Sequence, residues 1–317
     1  MAVLGIDLGG TKLATALFSE TGKLISKDVA ALDHRKGKEV GKLITDAVKK
    51  YITSAETPVR AIGVSVPGIS HAKTGTVWAP NIPGWDDYPL LQEIKQIAGN
   101  IPVSIDNDRA CCMLGELWQG NAKGCKDAIY LAVGTGIGAG ILIDGNILRG
   151  SHDIAGAVGW MALDKPFQNK YIACGCFEYY ASGDGIAKLT REILAVDTSY
   201  RGVLKDHAPG KITAHHVFEA YDNKDPVADR VLAECIQYWG MAVANFISIF
   251  NPEKIIFGGG VFGPALKFLK QIQEEAHKWA QPISITQVTF EPSGLHGDAA
   301  IYGAGFLALK KIPQTRN

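Results

Sequence analysis

Two glycine-rich turns, each joining a pair of short apolar strands, are the stretches of this sequence best suited to bind a charged ligand. The first turn contains Gly9, Gly10 and Thr11 and connects the strands predicted at 3–6 and 13–18. Glycine lets the backbone approach a ligand closely, and exposed N–H groups in such a turn form a concavity that binds anions. We interpret this turn as a nucleotide-phosphate hairpin; the alternative is a surface turn whose glycines are incidental.

The polar residues beside this turn suit the same chemistry. Asp7 lies at its rim, where a carboxylate can hold Mg²⁺ directly or through water. Lys12 and Thr11 can reach phosphate oxygens. One short stretch therefore offers backbone donors, a cation and a carboxylate for a metal ion.

The second turn follows a strand predicted at 129–133 and leads into another strand at 141–143. It begins with the G-x-G-x-x-A pattern of dinucleotide-binding turns, but that pattern requires a helix directly after the glycines. A strand follows here, so we predict a second phosphate hairpin. Its expected nucleotide contacts are Gly134, Thr135, Gly136 and Gly138.

A third glycine cluster, Gly258, Gly259 and Gly260, lies between a strand predicted at 254–257 and a helix that runs to about residue 280. Residues 258–263 match G-x-G-x-x-G, so a nicotinamide-binding turn is one interpretation of this cluster. The first turn of that kind normally opens its domain, whereas this one comes late in the chain. The same glycines can let an adenine and a ribose lie flat against the backbone.

A run of polar residues follows the strand predicted at 103–105, where a helix begins. Asp106, Asn107 and Asp108 suit an N-cap, and they equally suit a site at the carboxyl end of a strand. One Asp or Asn would suffice for a cap, so the run favours a functional site.

Composition excludes several classes of protein. Lysine plus arginine and aspartate plus glutamate both number 32, which argues against a nucleic-acid or anionic-membrane partner. No signal peptide and no membrane span are expected, and the six cysteines read as reduced thiols, so we expect a cytoplasmic protein. Neither a P-loop nor the protein-kinase motif set is present.

The elements that position these residues form an α/β pattern. The first part predicts three strands in 2–30, a helix at about 36–54 and then helices and strands in alternation. Later in the chain we predict a helix at about 185–195, a strand at about 284–290 and a last helix at 298–311. Residues 3–18 and 129–143 are built alike, which predicts two similar domains facing each other across a cleft. We place the domains at 1–119 and 120–297, with the C-terminal helix in 298–317 packing back on the first.

Taken together, these motifs closely resemble those of the ROK family (repressors, open reading frames and kinases) in the actin-like ATPase superfamily, over essentially the whole chain. The matching segments are Asp7–Lys12, Val66–Gly68, Asn107–Asp108, Gly134–Gly138, Cys176–Glu178 and Phe257–Gly260. Each motif is weak alone, and the combination is specific. The resemblance implies two actin-like (ribonuclease H-like) domains flanking a cleft.

The resemblance also implies an ATP-dependent sugar kinase that uses Mg²⁺. In that reading the two hairpins hold the ATP phosphates and 258–260 line the adenosine. Asp108 is the general base that accepts the proton of a sugar hydroxyl. The implied sugar contacts are Gly68, Asn81, Asn107 and Glu178. We also expect a homodimer.

The sequence departs from the family pattern in two places. Ala157 stands where a sugar-binding Glu is usual, and Trp160 stands where a His usually contacts both sugar and zinc. Only Cys174 and Cys176 remain of the usual cysteines, and they make a poor tetrahedral site, so structural zinc is not expected. Trp160 can stack on a sugar, so we expect an unusual sugar preference or weak activity.

Two functions from different classes remain open beside the kinase. One is a sugar-sensing regulator, although a strand predicted from residue 2 leaves no room for an N-terminal DNA-binding helix-turn-helix and the net charge is zero. The other is a catalytically weak sugar-binding protein, which Ala157 and Trp160 favour and Asp108 with the intact phosphate turns opposes. The nicotinamide enzyme rests on 258–263 alone.

Overall fold

Two five-stranded sheets organise the chain in the computed structural model, which describes residues 2–53 and 57–312. The strands are β1 Ala2–Leu8, β2 Lys12–Ser19, β3 Leu24–Ala31, β4 Val59–Val66, β5 Ile69–Ser70, β6 Val77–Trp78, β7 Val103–Asn107, β8 Ala128–Val133, β9 Ile137–Ile143, β10 Asn146–Ile147, β11 Lys254–Gly258 and β12 Thr289–Pro292. The helices are α1 Lys38–Thr53, α2 Leu90–Ala98, α3 Asp108–Gln119, α4 Cys176–Ala181, α5 Gly183–Val196, α6 Ala214–Asp222, α7 Pro226–Phe250, α8 Leu269–His277 and α9 Ala299–Leu309.

The chain divides into two compact units. The first consists of the described residues of Met1–Cys125, Asn146–Ala155 and Ser293–Asn317, and the second of Lys126–Gly145 and Gly156–Pro292. The domain limits expected at 119 and 297 remain a prediction. The expected C-terminal helix contains α9, which lies in the first unit, and residues 313–317 lie outside the described residues.

The first sheet has the order β3-β2-β1-β4-β7. β1 and β2 form an antiparallel hairpin, whereas β1, β4 and β7 run parallel. β1 is buried along almost its whole length and its sequence is apolar except for Asp7, as expected for a strand covered on both faces. Parallel strands place their carboxyl ends at one edge, so the residues after Leu8, Val66 and Asn107 emerge side by side.

Helix α9 covers one face of this sheet at unusually short range. A Cβ atom at Gly5 would lie 2.8 Å from the carbonyl oxygen of Ile301, and one at Gly63 would collide with the carbonyl of Ala304. Gly303 in α9 contacts the backbone of Cys111 in α3 in the same way. These glycines let backbones touch, which fixes α3 and therefore the residues at its amino end.

The second sheet has the order β10-β9-β8-β11-β12, with β8, β11 and β12 parallel. The 25-residue helix α7 supplies much of the apolar core against it. Asp225 caps α7 by accepting the backbone N–H groups of Val227 and Ala228, and Pro226 occupies its first turn. The helix ends at Asn251 in the left-handed conformation (φ 44°).

The second unit corrects three predicted elements. β9 begins at Ile137 instead of 141, because Gly138 and Gly140 pair with β8. Helix α5 begins at Gly183 instead of 185, because the Ser182 side chain caps it. Most of the strand predicted at 284–290 is wrong, because residues Ser284–Thr286 form a 3₁₀ turn and β12 starts at Thr289. The side chain of Gln281 accepts the N–H groups of Ile283 and Ser284 and stabilises this turn.

The helix predicted after Gly263, running to about residue 280, is also wrong in its first part. A short 3₁₀ turn at Pro264–Phe268 precedes α8. The predicted helix at 36–54 is α1, and residue 54 lies outside the described residues. Within 2–53 and 57–312, no helix combines the length and the apolar character that crossing a bilayer requires.

Candidate active site

The first unit brings the expected base to the carboxyl edge of its sheet. Asp108 is the first residue of α3, and 47% of its side chain is exposed. Its Oδ1 accepts the backbone N–H of Arg109 at 2.8 Å and lies 3.9 Å from Nε of the same arginine. The surrounding protein limits hydration of the carboxylate and raises the pKa of Asp108 above its ordinary value, and the charge of Arg109 opposes this effect.

Arg109 links Asp108 to the loop after β4. Its Nη2 donates to the carbonyl oxygen of Gly68 at 3.3 Å. Gly68 has φ +85°, and a Cβ atom there would collide with the carbonyl of Trp78, so the position requires glycine. Gly68, predicted to contact sugar, is therefore held near Asp108 by Arg109.

Asp7 lies near Asp108 at the end of β1. Burial raises the pKa of Asp7 from 3.8 to about 6, the hydroxyl of Ser65 lowers it, the charge of Asp108 raises it and that of Lys12 lowers it. Two neighbouring carboxylates repel each other, and a divalent cation relieves such repulsion. Their placement fits the predicted Mg²⁺ interaction.

The first hairpin presents its turn to solvent. Gly10, Thr11 and Lys12 are exposed, and the N–H of Gly9 donates to the carbonyl of Lys12 at 2.9 Å. Nδ2 of Asn81 lies 3.3 Å from the position of a Cβ atom at Gly10. The structure thus brings Asn81, expected at the sugar, against the turn expected at the phosphates.

Asn107 has a structural role in addition to the one predicted. It is buried, its Oδ1 caps α3 by accepting the N–H of Ala110 at 2.9 Å, and its Nδ2 donates to Asp106 at 3.4 Å. The capping interpretation therefore accounts for this residue's oxygen. Asp108 accepts the N–H of Arg109 through Oδ1 and remains about half-exposed.

An ion pair that the sequence did not predict lies directly behind this site. Asp106 is fully buried, and both of its oxygens accept from the guanidinium of Arg149, with Nη1 to Oδ1 at 2.7 Å. Arg149 belongs to the segment Asn146–Ala155, which joins the first unit from a distant part of the chain. No local sequence signal marks such a pair.

The second unit presents its own glycine turn. Thr135 is exposed at the tip, and the N–H of Gly134 donates to the carbonyl of Gly136 at 2.9 Å. Gly138 is buried in β9 opposite Ala132, so its backbone belongs to the sheet. Of the residues predicted to contact nucleotide here, three lie at the turn and one lies behind it.

Helix α5 begins against this turn, and the sequence did not predict this contact. The N–H of Gly183 donates to the carbonyl of Gly134 at 2.8 Å, and the N–H of Asp184 approaches the carbonyl of Thr135 at 3.4 Å. A helix amino end carries partial positive charge that favours a bound anion. The capping serine, Ser182, was the available signal.

The third glycine cluster is a neighbour of this turn. β11 pairs with β8 in parallel, and the N–H of Val261 donates to the carbonyl of Val133 at 3.0 Å. Gly258 is buried against the hydroxyl of Tyr130, whereas Gly259 (φ +87°) and Gly260 are exposed. The second unit thus places the predicted adenosine and phosphate segments at one edge.

The predicted sugar residues of the second unit lie on α4 and just before it. Glu178 accepts the N–H of Ile137 at 2.6 Å through Oε2. Trp160 is 58% exposed, and Ala157 is half-buried and accepts the N–H of Trp160 at 3.3 Å. Glu178 therefore contacts the residue that follows the second glycine turn, whereas the resemblance implied a contact with sugar.

Cys174 is half-buried and Cys176 is buried close to this segment. Burial raises the pKa of both thiols above the ordinary value. Among residues 2–53 and 57–312, no group of three or more histidine, cysteine, aspartate or glutamate side chains is arranged to hold a metal ion.

Comparison with known proteins decides the family. A family model described as "ROK family" matches residues 3–311. The chain belongs to the ROK family.

Relatives in this family include kinases and regulators. A glucokinase from Halalkalibacterium halodurans is 33% identical over 315 residues, covering 96% of this chain and 94% of the relative. A xylose repressor from Caldicellulosiruptor bescii is 31% identical over 310 residues, covering 95% of this chain and 76% of the repressor. Both relatives therefore match nearly the whole of this chain.

Solved ROK structures share the fold. A ROK hexokinase from Thermus thermophilus superimposes with a TM-score of 0.80 at 27% identity, covering 98% of this chain and 99% of that one. A ROK family glucokinase from Streptomyces griseus, solved in complex with glucose and AMPPNP, gives 0.77 at 28% identity, with 98% and 100% covered. The predicted actin-like α/β fold class is confirmed.

Proposed function

We propose that this protein phosphorylates a hydroxyl of a hexose or amino sugar with ATP, and that Asp108 is the general base. The observation that carries the proposal is the clustering of Asp108, Asp7 and the exposed 9–12 turn at one sheet edge. The glucokinase relative supports it, as does an N-acetyl-D-glucosamine kinase from Photobacterium profundum that is 28% identical over 97% of this chain and 99% of the relative.

The chemistry follows from the residues at this edge. A sugar hydroxyl is a weak nucleophile until a base within hydrogen-bond reach accepts its proton, and Asp108 is the half-exposed carboxylate available for this. Its raised pKa makes it a better proton acceptor than an ordinary aspartate. The sugar oxygen forms a bond to the γ-phosphorus, the bond to the bridging oxygen breaks, and ADP leaves with those electrons.

We assign the remaining polar groups to binding. Backbone N–H groups of the 9–12 and 134–136 turns and the side chains of Thr11 and Lys12 would hold phosphate oxygens, with 258–260 along the adenosine. Asp7 would hold Mg²⁺ through water, and such an ion, when bound, neutralises charge on the phosphates. Gly68, Asn81 and Asn107 would face the sugar.

The sugar pocket differs from the family pattern, and this is the second part of the proposal. Ala157 removes a carboxylate and Trp160 adds an exposed aromatic face, which can stack on a sugar but accepts no hydroxyl proton. We infer a preference unlike that of an ordinary glucokinase. The xylose repressor relative keeps the alternative of a catalytically weak sugar-binding or sugar-sensing protein open.

A coupled assay of ADP formation against a panel of hexoses, pentoses and N-acetylated amino sugars tests the proposal. We expect sugar-dependent ATP consumption with at least one hexose or amino sugar. Sugar binding by calorimetry without turnover of any sugar would instead support the sensing alternative. Tight glucose use like that of an ordinary glucokinase would refute the altered preference while leaving the kinase assignment intact.

The expected homodimer and cytoplasmic location remain proposals. Sedimentation velocity with and without nucleotide measures the assembly directly. A monomer at micromolar concentration would contradict the dimer.

A further inference from the structure

The carboxylate of Glu178 is held by the backbone of the second glycine turn. Oε2 accepts the N–H of Ile137 at 2.6 Å, directly after the turn residues 134–136. Hydrogen bonds to ionised acceptors are short and strong, and this one joins a side chain on α4 to the first residue of β9. The contact lies entirely within the second unit.

Two glycines make room for this contact. A Cβ atom at Gly136 would lie 2.7 Å from Oε2 of Glu178, and one at Gly159 would lie 2.9 Å from its Cβ and 3.0 Å from its Oε2. Side chains at either position would push the carboxylate away from Ile137. Two separate backbone segments, at 136–137 and at 159, are therefore shaped around one carboxylate.

The helix that carries Glu178 is itself firmly anchored. Phe177 is fully buried beside it, and Nε1 of Trp239 in α7 donates to the carbonyl of Ala181 at 3.0 Å. A side chain on a rigid support can impose its geometry on a neighbouring turn. The other partner in this contact is the glycine-rich turn, in which Thr135 is the one residue of 134–136 with a side chain.

We propose that Glu178 is a positioning residue for the nucleotide: it fixes Ile137 so that the 134–136 turn presents its backbone donors to phosphate. This inference rests on the proposed function, since it takes the turn as a phosphate site. The resemblance assigned Glu178 to the sugar alone. Because Glu178 also contacts the residue after the 134–136 turn, its loss should weaken nucleotide binding even when no sugar is present.

Glu178 acts here by accepting a hydrogen bond, and substitutions can separate this role from the effect of its charge. The amide oxygen of glutamine can accept the same N–H without the charge, whereas alanine leaves Ile137 unpaired. A negative charge beside the turn by itself disfavours phosphate. Glu178→Gln should therefore keep the nucleotide site, and Glu178→Ala should lose its geometry.

Calorimetric titration of the full chain with AMPPNP and Mg²⁺, without sugar, tests the proposal. We expect binding about tenfold weaker in Glu178→Ala, the size of losing one hydrogen bond to a charged group, and within about threefold of wild type in Glu178→Gln. Glu274→Ala, which removes an exposed carboxylate paired with Lys270 on α8, is the matched control and should bind as wild type does.

Gly159→Ala is an independent variant that keeps Glu178 and the turn residues, and it displaces the Glu178 carboxylate because a Cβ atom there would lie 3.0 Å from Oε2. It should weaken AMPPNP binding to a similar extent, and it decides the matter if Glu178→Ala does not fold. Wild-type affinity in both variants would overturn the inference, and an equal loss in Glu178→Gln and Glu178→Ala would overturn the hydrogen-bond role. If wild-type protein itself does not bind AMPPNP, the proposed function fails first.

Discussion

At the scale of single residues, Asp7 should leave a clear mark on stability. Its pKa is about 6 in the folded protein against an ordinary 3.8, so between these pH values the folded state holds a proton that the unfolded chain has released. The free energy of unfolding therefore falls as pH rises from about 4 to about 6. Asp7→Asn removes this titration, and its advantage over wild type should grow across that interval and then level off.

Thermal midpoints of both proteins at half-unit pH steps, without metal or nucleotide, measure this difference. Asp46→Asn, which changes an exposed carboxylate on α1, is the control and should show no such growth. Parallel curves for Asp7→Asn and wild type would mean that Asp7 titrates as an ordinary carboxylate. In that case neither burial nor the charge of Asp108 would raise the pKa of Asp7.

The residues of the first unit were largely predictable because their signals are local. Asp7, Gly9, Gly10 and Asp108 lie at strand ends, and strand ends can be read from apolar runs and glycines. The Arg149–Asp106 pair was not predictable, because the two residues are far apart in sequence and meet only when Asn146–Ala155 folds onto the first unit. Glu116 is similar, since its carboxylate accepts the N–H groups of Gly294 and Leu295.

At the scale of elements, the contact between α3 and α9 sets the position of Asp108. A Cβ atom at Gly303 would collide with the backbone of Cys111, so Gly303→Ala must separate the helices. We expect a loss of about 1–3 kcal/mol in unfolding free energy, the usual cost of overpacking, together with lower activity. Gly297→Ala, where nothing lies within 4 Å, should be neutral or slightly stabilising.

Urea unfolding of the two variants provides the measurement. Because both replace glycine by alanine a few residues apart, any difference between them reflects packing and not the change in unfolded-chain entropy. Equal stability of Gly303→Ala and Gly297→Ala would contradict the close approach of the helices.

Element boundaries in the second unit were harder to predict than element types. The turn predicted between residues 133 and 141 is too long, because the sequence alone does not show whether a glycine belongs to a turn or pairs within a strand. Gly138 and Gly140 pair with Ala132 and Tyr130, and this pairing forms only when β8 and β9 come together in the folded sheet. Residues 283–289 likewise contain several β-branched side chains that favour a strand, but the side chain of Gln281 accepts the N–H of Ile283 and favours a turn there.

At the scale of the whole molecule, the balance of charge bears on whether this chain binds DNA. Positive and negative side chains are equal in number, so the chain lacks the excess cations that give non-specific affinity for DNA. We expect no retention of a 30-base-pair duplex at micromolar protein in 50 mM salt. A salt-dependent gel shift under these conditions would favour the regulatory alternative.

The most direct test of the central claim is the steady-state rate of Asp108→Asn beside wild type, with the best sugar from the panel and saturating ATP. We predict a fall in kcat on the order of 10²–10⁴-fold, the contribution expected of a general base, while calorimetry gives an AMPPNP affinity within about twofold of wild type. Asp46→Asn should turn over normally. Normal turnover by Asp108→Asn would contradict the account.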